Sequence, residues 1–224
     1  MLLKPIYFKE FLKIRWLWLT LTGFNALLMA YIYVETRRLF ALDHAEIVWY
    51  RVMHLNQIHY HYLKYAPVLT GLLLATIQYL PEMTGERLRL SLHLPVSPHR
   101  LIMAHVMVGL TAVGLVIVLD LVALALITIR FFPGEAVGTA LWTALPWGMA
   151  GPAAYLGVTL ALLEPDYRLK LFNLAIAAGV AGLYFHPAEP GGYVFLLFGL
   201  ALPLLLLVPA VLLPAYRFRY RRVS

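Results

Sequence analysis

Apolar positions along this chain fall into long runs separated by short charged segments. The runs are about 16–34, 65–80, 101–129, 136–163, 169–185 and 193–216. Each approaches or exceeds the roughly 20 apolar residues that cross about 30 Å of hydrocarbon as a helix. The pattern therefore predicts an all-α, polytopic integral membrane protein: one transmembrane domain, 1–224, with six transmembrane helices. Pro146, Pro152, Pro203 and Pro209 fall inside the runs. Membrane helices tolerate such prolines at kinks, where neighbours re-satisfy the freed carbonyls.

Two segments break the rhythm. In residues 1–15, Lys4, Lys9, Lys13 and Arg15 are interleaved with Ile6, Tyr7, Phe8, Phe11, Leu12 and Ile14 at mostly helical spacing, which predicts an amphipathic interfacial helix. A cleaved signal peptide is the rival reading, but no small-residue cleavage site follows before Glu35, Arg37 and Arg38. Residues 35–64 form the longest polar interruption. From Asp43, a helix N-cap with Glu46 three residues on, Val48, Val52, Leu55 and Tyr62 fall on one face, so an amphipathic helix at the outer interface is expected there.

Composition agrees with the pattern. The chain is 62% hydrophobic and 13% charged with a mean hydropathy of +0.78, whereas soluble domains are about 45–50% apolar and about 25% charged. The net charge of +7 is no nucleic-acid signature, because the basic residues sit at the ends of apolar runs. Lys4, Lys9, Lys13, Arg15, Arg87, Arg89, Arg100, Arg168, Lys170, Arg217, Arg219, Arg221 and Arg222 fall on one side of a six-span path. Arg37, Arg38, Arg51, Lys64 and Arg130 fall on the other. The positive-inside rule then predicts cytoplasmic termini and a multi-pass protein of the cytoplasmic (inner) membrane. Cysteine is absent, which excludes disulfides and thiolate chemistry.

The most informative connection is 81–100, on the cytoplasmic side. Its middle has helical propensity, Leu88, Leu92 and Pro95 lie along one side, and Pro95 with Pro98 is expected to stop any helix before the next span. A short surface helix tied at both ends to membrane helices is well placed to receive force from a soluble partner. Glu82, Gly85-Glu86, Leu88, Leu92, Leu94-Pro95-Val96-Ser97 and Arg100-Leu101 together resemble the coupling helix of the permease subunits of type-2 ABC exporters. Glu86-Arg87 and His105 stand where that family often has Thr-Leu and a lysine. The resemblance implies a transport subunit, not an enzyme, engaged at 81–100 by a separate ATPase dimer that holds ATP and magnesium. It also implies a second permease copy or a homologous permease, and no cofactor in this chain. Consistent with that division, no G-x-x-x-x-G-K-[ST] phosphate loop occurs.

Other residues leave alternatives open. His54, His59 and His61 are weak metal or heme candidates in the outer segment. His54 and His61 share a helical face and His59 does not, so they lack the i, i+4 spacing of a helical metal site. Asp120 is an acid deep in an apolar run and should face the bundle interior, as a path or proton site or as a structural hydrogen-bond partner. Asn25, Gln78 and Asn173 read as helix-packing glue. His105 and His186 lie near opposite ends of their runs, which argues against a diheme cytochrome. A heme or quinone redox subunit, or a heme-handling or assembly protein, stays as the alternative class.

Overall fold

The computed structural model describes residues 3–84, 97–186 and 189–220, and these are all helical or connecting, with no strand among them. The helices are α1 (Leu3–Leu42), α2 (Ala45–Met53), α3 (Ala66–Thr84), α4 (Pro98–Phe131), α5 (Gly134–Leu163), α6 (Tyr167–Leu183), α7 (Leu197–Ala210) and α8 (Leu212–Tyr220). Short 3-10 helices at His61–Tyr65 and Val194–Leu196 lead into α3 and α7. Four stretches are long and apolar enough to cross a membrane: Lys4–Leu42, His61–Thr84, Pro98–Phe131 and Val194–Pro214. The apolar runs expected at 136–163 and 169–185 lie in α5 and α6. With 17 residues, α6 is shorter than the roughly 20 that a perpendicular crossing takes.

Several boundaries differ from the sequence expectation, each for a local reason. The separate interfacial helix expected at 1–15 is instead the first third of the 40-residue α1. No proline or glycine falls between Pro5 and Gly23 to interrupt it, and Ile14 is buried in the bundle core. Pro98 starts α4 where it was expected to help stop a helix: it occupies the first turn, after Ser97, where its missing N–H is an orphan in any case. Pro81 lies within α3, which continues to Thr84. The outer helix begins after His44, since Asp43 accepts a 2.6 Å bond from Arg51 rather than capping. It ends at Met53, and Asn56 follows with a left-handed φ of 55°, so exposed Leu55 and Tyr62 are not on its inner face.

The hub is α5. It touches α3, α4, α6, α7 and α8, and most of its buried positions are Ala, Gly or Thr. Small residues let neighbouring backbones approach, the arrangement that membrane helices use in place of a hydrophobic driving force. At the α3–α5 crossing a methyl on Gly71 would fall on the carbonyl oxygen of Gly151, and one on Gly151 would stand 2.8 Å from the carbonyl oxygen of Pro67. Two apolar cores flank this crossing. One gathers Ile14, Leu74, Leu101, Val106 and Leu156, and the other Met29, Ile32, Leu124, Ile127 and Trp147.

Gly71→Ala is expected to lower the melting temperature of the detergent-solubilised protein sharply, because backbone stands where the methyl must go and overpacking costs about 1–3 kcal/mol even where side chains can adjust. Gly114→Ala, with nothing within 4 Å of the added methyl, should be neutral or gain up to about 1 kcal/mol in helix propensity. Equal melting of the two variants would contradict the crossing described here.

Candidate functional site

At the end of the bundle from which residues 85–96 depart, four helices contribute polar side chains to one buried cluster. Glu10 and Lys13 lie one turn apart on α1, and Gln78 and Glu82 one turn apart on α3, so each pair faces the same way. His105 comes from the second turn of α4 and Tyr155 from α5. Glu10, Gln78, Glu82, His105 and Tyr155 are all buried, and Gln78 and Tyr155 fully so. Gly109 makes room for Tyr155: a methyl there would fall on the phenol.

The contacts form a continuous path. Lys13 Nζ donates to Glu82 Oε1 at 2.9 Å and lies 3.5 Å from Glu10 Oε2, while Lys9 Nζ lies 4.0 Å from Glu82 Oε1. Gln78 Nε2 donates to Glu10 Oε2 at 3.1 Å and to the His105 carbonyl oxygen at 3.0 Å. Gln78 Oε1 accepts from the Tyr155 hydroxyl at 2.8 Å, and the Tyr79 hydroxyl lies 3.4 Å further on. Glu10 Oε1 stands 3.3 Å from His105 Nε2, an ion pair whenever the imidazole carries both protons. A buried carboxylate is tolerated only when paired and hydrogen-bonded, and Glu10 collects its partners from three helices. The cluster therefore ties α1 to the last turns of α3 and the first turns of α4, the two ends between which 85–96 runs.

No family model, curated protein or solved structure matches this chain.

Of the residues proposed to meet a partner, Glu82 belongs to this cluster. Ser97 precedes α4 without a side-chain capping bond, and Arg100 is exposed in its first turn. Gly85, Glu86, Arg87, Leu88, Leu92 and Pro95 lie outside the described residues. Asp120 is buried but about four turns along α4 from His105, and its Oδ2 has no hydrogen-bond partner among the described residues. Sequence reasoning overlooked Glu10. The signal was present: it is the lone acid among the basic residues of 1–15, three positions before Lys13.

The outer histidines do not converge, and among the described residues no three His, Asp or Glu side chains are placed to hold a metal. His54 lies against Tyr50 and His61 against Tyr62. His59 is buried, stacked on Phe132 at 4.7 Å between centroids and edge-on to Tyr60 at 4.9 Å. Neither of its ring nitrogens has a hydrogen-bond partner among the described residues. Burial pushes its pKa from 6.5 down to about 4, because a charged imidazole has lost its water there.

Two outcomes follow. Lys13→Met should cost about 3 kcal/mol by stranding the buried Glu82 carboxylate, and Lys13→Met with Glu82→Leu should regain most of that loss in a melting experiment. His59 takes up its proton only when released, so stability is complete above about pH 6.5 and falls towards pH 4, by up to about 3 kcal/mol. Melting at pH 7.5 and pH 5 should show about 2 kcal/mol of this loss, and His59→Phe should reduce it.

Proposed function

We propose that the chain is the permease subunit of a type-2 ABC exporter, crossing the cytoplasmic membrane six times with both termini inside. A separate ATPase dimer would engage 81–100 and supply the ATP and magnesium chemistry, and a second copy of the chain or a homologous permease would complete the pathway. The observation that carries this reading is the buried cluster at the two helix ends that residues 85–96 join. Glu10 and Lys13 bind α1 to Gln78 and Glu82 before that segment and to His105 after it. Force applied at 85–96 is thereby shared among α1, α3 and α4 rather than bending one helix end. Both flanks of the segment are rooted in well-packed helices, with Leu101 and Ile102 buried within a turn of Pro98.

The mechanism is mechanical. Closure of the ATPase dimer presses on 81–100, the α1–α3–α4 unit moves as one body, and two bundles rock between inward-facing and outward-facing states. Six spans accommodate α5 and α6 as membrane-crossing helices, with α6 continued by Tyr184 and Phe185, and they agree with the distribution of basic residues.

The test is co-purification of the tagged chain in mild detergent, with a visible spectrum of the same sample. Glu86→Lys and Arg87→Glu should abolish recovery of an ATPase while leaving the melting temperature unchanged. Recovery of no ATPase by the native chain, together with a Soret band, would overturn the reading in favour of a heme-bearing subunit.

A further inference from the structure

On the far side of α5 from the buried cluster, a groove of about 440 Å³ opens between α5, α6, α7 and α8. Its walls are apolar, with Leu160, Phe172, Ile176, Val180 and Leu206 among them. From Leu169 to Val180 it follows α6 for about 16 Å at 1.5 Å per residue, close to the depth of one hydrocarbon leaflet. All its polar lining lies at one end. There Glu164, fully buried, accepts from Arg217 Nη1 at 2.8 Å and from Asn173 Nδ2 at 3.4 Å, both through Oε2. The other oxygen, Oε1, is buried and has no donor among the described residues. The Arg217 side chain is 47% exposed, so part of its five-donor fork is open to an anion.

An apolar slot one leaflet deep, ending in a buried acceptor and an open guanidinium, matches a molecule with a hydrocarbon chain, an N–H donor and an anionic oxygen. We propose that this groove is a binding site for an aminophospholipid. One acyl chain lies along α6, the phosphate meets Arg217, and the primary ammonium donates to Glu164 Oε1. The amine separates this occupant from other lipids. A quaternary ammonium has no proton to donate, and a glycerol headgroup brings no cation to the Glu164 carboxylate. The site goes beyond the transport reading and stands whether or not an ATPase associates with the chain.

Native mass spectrometry of the delipidated full chain, titrated in turn with phosphatidylethanolamine, phosphatidylcholine and phosphatidylglycerol, tests the assignment. The native protein should retain phosphatidylethanolamine about tenfold better than either of the others, the size expected of one hydrogen bond to a charged group. Leu206→Trp, at an exposed position on the groove wall, should remove that retention without altering the melting temperature. Glu164→Gln should keep phospholipid binding but lose the preference for the primary amine. Equal retention of the three lipids by the native protein would overturn the proposal as ordinary annular lipid. Preference for phosphatidylglycerol would overturn it in favour of an anion site read by Arg217 alone.

Discussion

The structure depends on how closely α3 and α5 cross. Membrane helices gain nothing from hiding apolar surface that lipid would cover equally well, so association rests on van der Waals contact and internal hydrogen bonds. Gly71 and Gly151 let the two backbones approach until no side chain fits between them. That contact brings Gln78 on α3 and Tyr155 on α5 within hydrogen-bond reach, and the rest of the polar cluster builds outward from that bond. Gly109 on α4 leaves room for the Tyr155 phenol, and Gly157 on α5 gives close approach to α6, where a methyl would fall on the Ala177 methyl.

Around this crossing the polar groups divide into two kinds. Asn25 bonds to Thr70 and the Leu21 carbonyl at 3.1 and 2.9 Å, an ordinary tie between α1 and α3. Glu10, Lys13, Glu82 and His105 are ionisable and buried or half-buried, which costs more than neutral amides would and raises stability little over a well-packed apolar core. Ionic groups kept in such a place specify a geometry. Here the geometry joins the N-terminal part of α1 to the two helix ends that flank 85–96, where the proposed mechanism needs a rigid connection. The Glu164–Arg217 pair lies elsewhere, on the groove side of α5, and ties the end of that helix to α8.

Much of the architecture was legible along the chain. Run lengths and composition point to an all-helical membrane bundle, and the 35–64 interruption does hold a short amphipathic helix with Val48 inward. Two of the misplaced boundaries fall at prolines, Pro81 and Pro98. Pro98 can end one helix or begin the next, and only the chain's direction after it decides which. Residues 1–15 read as interfacial only if their charges face water. Glu10 and Lys13 face each other and α3 instead, a fact that depends on partners about seventy residues away.

By itself the sequence determined solvent, helix content and the distribution of positive charge, because these follow from local hydropathy and from sums over short windows. It also placed glycines and lone polar residues without saying what each meets. Tertiary structure alone decided that Gly71 lies on Gly151, that the buried carboxylate of Glu10 draws partners from three helices, and that Glu164 closes one end of an apolar groove. Those pairings are set by which helix faces touch at the crossings. That choice is a property of the packed bundle, since identical periodicity along one helix allows many neighbours.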